Sequence, residues 1–489
     1  PAHEARLVEI LAELAPDMQA APSYKIAREF REFERASTTT LSAYVQPVVG
    51  RYLDRFEASL GEDGFTGAFS VMQSNGGRMP AAAMAENAIT ALFSGPAAGV
   101  VGAVRQAARS GFKNFITLDV GGTSTDVAPF DGEYERTLET IVAGVRMRAP
   151  MMHIHTVAAG GGSILQFDGA RFRVGPESAS TNPGPSCYRR DGPLAVTDCN
   201  VMLGKIQPEF FPSVFGPNAD ERLDADVVRQ KFEALAEQIA DATGEEKRSP
   251  EDVAEGFLTI AVENMANAIK QISVQRGYDV TEYVLNSFGG AGGQHACLVA
   301  DALGMKTVLL HQFAGVLSAY GMGLADIRAL REQTAQADLT DEALVSLNAT
   351  LGDMAKDAVK EVSAQGLGDE KIDVYRRIHL RYDGTDSVIV VDLADAATMK
   401  ENFEALHRQR FGFVPEGRKL VVEALAIEAV GITESTIDPE IEDVANRSAI
   451  QPISSVTMHS DGKNHETPVY SRDSFFPGDS ITGPAIIAE

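Results

Sequence analysis

The sequence predicts an α/β protein whose ligand site is built from glycine turns, followed by a smaller mixed α/β C-terminal part. Three observations carry this reading. Apolar strand-like runs end in glycine clusters, helix-like segments follow, and after Ala325 the texture changes to charged and alternating stretches. The chain has 489 residues, 44% hydrophobic and 23% charged, enough for two or three domains. We expect one domain over 1–338 and a second over 339–489.

Residues 1 to 60 read as helical. Leu7, Ile10, Leu11 and Leu14 recur at helical spacing, Pro22 punctuates, and Phe30, Phe33, Leu41, Val45, Val49 and Leu53 continue the apolar pattern. From Ala68 to Gly111 strand-like segments alternate with helices, and Gly95-Pro96 breaks the chain ahead of a small-residue helix suited to close packing. Residues 165 to 245 are rich in proline turns, and in PLAVTDCNVMLG Asp198 reads as the end of a short strand before a helix. Val253, Phe257, Ala261, Met265, Ile269 and Ile272 then mark one face of a long helix. Glu332 to Glu370 reads as charged and helical, and Val374 to Asp392 alternates as a strand.

The chemistry concentrates in FITLDVGGTSTDVAPF, residues 115 to 130. Phe115, Ile116, Leu118 and Val120 form a strand that ends in Gly121-Gly122-Thr123-Ser124-Thr125, where glycines let backbone amides approach an anion and hydroxyls add donors. Asp119 and Asp126 flank the turn, placed to orient a hydrated Mg²⁺ or an attacking water beside phosphate. A Gly-Gly hairpin with solvated acids is the structural alternative. Two more clusters, Gly160-Gly161-Gly162 and Gly289-Gly290-Ala291-Gly292-Gly293, read as strand-to-helix junctions, where free amides and the helix dipole favour a phosphate or sugar edge. Glycines needed for tight packing alone are the other reading. His153, His155, Asp198 and His295 raise a further option, a transition-metal site of nitrogen and oxygen ligands, against acid/base work near phosphate or capping of the turns.

Several partners are excluded on composition. A net charge of −26 with no basic stripe argues against nucleic acid, and no apolar run has the roughly 18–20 residues of a membrane span. Cys187, Cys199 and Cys297 form no CxxC pair, which suits a reducing, cytoplasmic compartment, and the first two read as buried small apolar residues. The chain opens Pro-Ala-His-Glu and stops where a strand is forming, so we read it as a segment of a longer protein.

DVGGTSTD, IHTVAAGGGS, NPGPSCYRRDGPLAVTDCNVMLG, QISVQRGYD and SFGGAGGQHA, in this order, resemble the hydantoinase A and 5-oxoprolinase family over nearly the whole chain. FFPSVFGPNADERLD, HLRYDGTDS, RFGFVPE and HETPVYSRD resemble the later segments of ATP-dependent 5-oxoprolinases in particular. The resemblance implies an actin-like, sugar-kinase-like ATPase core in which Asp119 to Asp126 match the second phosphate motif and Gly289 to Gly293 the adenosine motif, with the first half of the cleft lacking. It implies ATP and Mg²⁺ as cofactors and phosphorylation of the carbonyl-derived oxygen of a cyclic amide such as 5-oxoproline or a hydantoin. A B-type subunit or fused domain, and a homo-oligomer, are the implied partners. Of the His-x-His pair it implies His155 alone. An ATP-consuming ketone carboxylase subunit, or a nucleotide-binding segment inactive by itself, are the alternatives.

Overall fold

The computed structural model describes residues 2–27, 32–142, 144–368, 371–433 and 449–489. Its described strands in the first part of the chain are β1 (Ser70–Met72), β2 (Arg78–Pro80), β3 (Asn114–Val120), β4 (Thr125–Asp131), β5 (Arg136–Val142), β6 (Val145–Met152), β7 (His155–Val157), β8 (Ser163–Phe167) and β9 (Phe172–Ser178). They are followed by β10 (Val284–Phe288), β11 (Val308–Leu310), β12 (Ile327–Asp338), β13 (Ile372–Tyr382), β14 (Ile389–Asp392), β15 (Leu420–Gly431), β16 (Ser454–Ser460), β17 (Lys463–Ser471) and β18 (Ile486–Ala488). The chain divides into two compact units, each made of separated stretches. Pro1–Arg105, Tyr134–His153 and Ser318–Ser435 form one, and Gln106–Glu133, Ile154–Leu317 and Thr436–Glu489 the other.

The first unit carries a six-stranded sheet in the order β1-β2-β12-β15-β13-β14. Its helix Asp341–Ser363 starts where the Thr340 hydroxyl accepts from the Ala343 amide (3.1 Å), and it buries Leu344, Leu347, Leu351, Met354, Ala358 and Val362 against Ile378, Leu380, Val422 and Ile427 of the sheet. The expected helix from Glu332 is corrected. Residues 332 to 338 belong to β12, because ten residues of that strand pair antiparallel with β15 and tertiary pairing overrides a charged composition; Glu370 lies outside the described residues. At its N-terminal side the unit has helices Ala2–Leu14, Ser23–Ile26 and Glu32–Glu62, while Phe30 lies outside the described residues. Its most charged feature is Glu428, buried on β15, whose carboxylate accepts from Arg136 (2.7 and 2.8 Å), Arg328 (2.7 Å) and Arg377 (3.2 Å).

The second unit carries a five-stranded sheet, β11-β10-β3-β4-β7, in which β10 runs parallel to β3 and β11 while β4 is antiparallel to β3 and β7. The expected long helix is Pro250–Ile272. Ser249 caps it by accepting from the Asp252 amide (3.0 Å), proline stands at its start, and Val253, Phe257, Ala261, Met265, Ile269 and Ile272 are all buried. Phe257 stacks on Phe172 with ring centroids 4.4 Å apart. Among the described residues no helix is long and apolar enough to cross a membrane.

Candidate functional site

The site begins where β3 ends. Phe115, Ile116, Leu118 and Val120 are fully buried, so the alternating residue Asp119 is held at the sheet's C-terminal edge by a strand that cannot slip without exposing its core face. The turn to β4 is closed by the Gly121 amide donating to Ser124 O (3.0 Å), with Gly122 and Thr123 exposed at its tip. It is a hairpin by topology, and register sets Asp119 directly opposite Asp126. Cross-strand partners share a face, so two carboxylates are forced together. Asp126 accepts from the Thr156 hydroxyl on β7, which stabilises its charge, whereas burial still pushes its carboxyl above the usual range. Burial and then the Asp126 charge push Asp119 up to about 6. A half-buried pair of this kind, with the Asp119 carboxylate accepting no hydrogen bond from the described residues, is the donor set that a hydrated Mg²⁺ on a polyphosphate requires, and it fits that ion.

The second glycine cluster has another job from the one its sequence suggests. It joins β7 to β8, strand to strand rather than strand to helix, and its amides are taken up internally. Gly161 donates to Gly121 O (3.0 Å), Gly162 to Gly122 O (2.7 Å) and Gly160 to Ser163 Oγ (2.9 Å). A Cβ at Gly160 would lie 2.7 Å from Gly121 O and one at Gly162 2.8 Å from Gly122 O, so these glycines exist to let one turn lie on the other. Gly160, Gly161 and Gly162 are therefore a buttress for the aspartate turn and not ligand donors themselves. Thr125 joins them: its buried hydroxyl donates to Ala159 O (2.5 Å), which removes it from the phosphate donors and leaves Thr123 and Ser124.

The third cluster is a strand-to-helix junction, from β10 to the helix Gly292–Leu303, and β10 lies beside β3 with Phe288 opposite Asp119. Gly289 has φ +85°, and a Cβ there would sit 2.4 Å from Asp119 Oδ1 and 2.5 Å from Val120 O. This is the close approach that brings the third turn against the aspartate pair. Gly290 and Gly293 are exposed and a Cβ on either would meet nothing within 4 Å, whereas Gly292 is buried with Ser287 Oγ 2.8 Å from the position of its Cβ. Only the first two present open backbone to a ligand.

The histidine and aspartate metal set does not assemble. Among the described residues no group of three or more His, Cys, Asp and Glu side chains is placed to hold a metal ion. Asp198 is fully buried in the first turn of the helix Val196–Met202, not at a strand end, and its carboxylate accepts from the amides of Ser186 (3.0 Å), Cys187 (2.9 Å) and Ala195 (2.8 Å). Those bonds occupy its lone pairs and make it an anchor for the proline-rich loop. His295 is wholly buried in the helix Gly292–Leu303, where burial, and then the Lys205 charge, push its ring down to about 4, so it is neutral at pH 7. His155 stands opposite Val127 on β7, and His153 belongs to the other unit. Cys187 and Cys199 are buried as expected. The sequence reading missed Thr156, which lies inside the IHTVAAGGGS motif but gains meaning only through its register with Asp126. It also missed Thr197, whose amide (2.7 Å) and hydroxyl (2.8 Å) both donate to Gly161 O and lock the buttress.

Known proteins share this framework. 5-oxoprolinase 1 of Arabidopsis thaliana is 37% identical over 99% of the chain, and the chain spans 38% of the length of that relative. The crystal structure of the ATP-dependent caprolactamase from Pseudomonas jessenii matches with a TM-score of 0.87 at 31% identity, covering all of this chain and 71% of that one. A nucleotide-free acetone carboxylase structure matches with a TM-score of 0.72 at 24% identity, again over the whole chain and 71% of its own, a likeness of fold. These matches establish the α/β ATPase-type fold. With a hydantoinase/oxoprolinase family model matching residues 35–331, and the caprolactamase likeness extending over the full chain, the chain belongs to the hydantoinase/oxoprolinase family.

Proposed function

We propose that this chain supplies the nucleotide and phosphate site of an ATP-dependent enzyme that opens a cyclic amide, of the 5-oxoprolinase or caprolactamase kind. The observation that carries the reading is the Asp119–Asp126 pair at a glycine turn whose tip is open and whose base is braced by a second turn. The relatives' names supply the substrate class, a lactam. A ring amide is resonance-stabilised and its ring readily re-forms, so coupling to ATP makes hydrolysis run forward. Bound Mg²⁺-ATP would supply the phosphoryl group that activates the amide oxygen. Asp119 and Asp126 would hold the hydrated cation, and Thr123, Ser124 and the tip amides the phosphate oxygens. Gly290 and Gly293, at the start of a helix, would face the adenosine side. His155 is a candidate proton carrier, and a B-type partner, separate or fused, would complete the reaction. We further assign 1–338 to the ATPase-type region and 339–489 to an accessory region.

The test is calorimetric titration of ATP into the 489-residue chain with and without Mg²⁺, for the native protein and for Asp119→Asn. We expect Mg²⁺-dependent binding that weakens at least about tenfold in the variant and, in the native protein, fades as pH falls below about 6, where Asp119 takes up a proton. Mg²⁺-independent binding, or equal affinity in the variant, would remove the aspartate pair from the nucleotide site.

A further inference from the structure

A row of residues in register crosses the sheet of the second unit beside the aspartate turn. Phe288 on β10 pairs with Asp119 on β3, Asp119 with Asp126 on β4, and Asp126 with Thr156 on β7. Cross-strand partners share a face, so the row runs from a buried ring through two carboxylates to an exposed hydroxyl. Like charges placed directly opposite repel, and each carboxylate keeps one rotamer only if something holds it there. For Asp119 that is the third turn, because its Oδ1 lies so close to Gly289 that a Cβ there would overlap it. For Asp126 it is Thr156, whose hydroxyl donates to Oδ1.

These constraints leave acceptors over. Among the described residues Asp119 accepts no hydrogen bond, and Asp126 Oδ2 accepts none. Thr156 has capacity left as well. A threonine hydroxyl carries one proton and two lone pairs; the proton goes to Asp126, and among the described residues no donor occupies the lone pairs. Its side chain is exposed on β7, the edge strand of the sheet, so that oxygen is within reach of solvent. Mg²⁺ dehydrates reluctantly and keeps several waters, so a site for it needs acceptors for water protons as well as carboxylates. Groups that orient a metal's ligands from one shell out are worth about 10- to 100-fold in metal affinity.

We propose that Thr156 is the positioning residue of the aspartate pair: its hydroxyl fixes the Asp126 carboxylate by donating to it and accepts from a water of the hydrated divalent cation. The proposal deepens the nucleotide reading above and rests on it for the cation's role. The probe is Mn²⁺, the paramagnetic stand-in for Mg²⁺, titrated into the 489-residue chain with and without ATP and followed by the EPR signal of the free ion. Thr156→Val keeps the side-chain shape and suits an exposed strand. It should weaken Mn²⁺ binding about tenfold or more, with an unchanged melting temperature and unaltered metal-free ATP binding. Thr156→Ser restores the hydroxyl and should return the affinity to within about threefold of the native protein. Native affinity in Thr156→Val, equal losses in the two variants, a loss that follows the melting temperature, or no Mn²⁺ binding by the native protein would overturn the assignment. Mn²⁺ binding that falls in Asp119→Asn and not in Thr156→Val would refute the role of Thr156 and leave the aspartate pair in place. Thr156-dependent Mn²⁺ binding in a protein that binds ATP equally with and without metal would keep that role and refute the nucleotide reading.

Discussion

Replacing Glu428 by Gln removes a charge and leaves the volume unchanged, so it isolates the electrostatic contribution of the arginine-bound carboxylate on β15. Despite burial, the charges of Arg136 and Arg328 and their hydrogen bonds hold its carboxyl well below the usual range, at about 2 against an ordinary 4.5. At about 1.4 kcal/mol per pH unit, this corresponds to about 3 kcal/mol of stability at neutral pH. The sign follows from a depressed value: the contribution is complete above about 4.5 and is lost as pH falls toward about 2. Glu428→Gln also leaves Arg136, Arg328 and Arg377 around a neutral amide, and a broken buried ion pair costs a comparable 3–5 kcal/mol, roughly. Thermal unfolding of the unit that contains it should therefore move down by about 6–12 °C at pH 7. Followed by calorimetry from pH 7 to pH 3, the gap between native protein and variant should stay level down to about pH 5 and then narrow. A variant as stable as the native protein, or a gap that widens in acid, would refute the assignment of Glu428 as the charged centre of the sheet.

Gly289→Ala should lower stability by about 2 kcal/mol or more, because the added Cβ meets Asp119 Oδ1 and Val120 O and the backbone is left-handed, whereas Gly290→Val should leave the melting temperature unchanged and weaken ATP alone. Equal loss of stability in the two would place both glycines in packing. Thr125→Val should cost about 1–3 kcal/mol by leaving Ala159 O unpaired, and should also weaken Mg²⁺-dependent ATP binding, since the buttress under the aspartate turn loosens. Urea unfolding and the same titration check both effects, and a stable variant with weakened binding would assign Thr125 to the ligand after all.

The elements that the sequence alone determines are those whose cause is local. The helix Pro250–Ile272 is written in its apolar spacing and its Ser249-Pro250 start, and the burial of β3 follows from its apolar residues. Asp119, Asp126 and the glycine turn between them were recognisable because strand, turn and strand are contiguous. What the tertiary structure decided is which groups remain available to a ligand. Gly160, Gly161 and Gly162 look like ligand donors in sequence, and their amides become scaffold only when β7 and β8 carry them onto the first turn. Asp198 looks like a metal ligand until three amides from the neighbouring loop and helix occupy it, and residues 332 to 338 look helical until β15 pairs with them. The physical reason is common to all three cases. Propensity and periodicity depend on near neighbours along the chain, while the hydrogen-bond partner of a polar group is set by whichever segment folding brings against it.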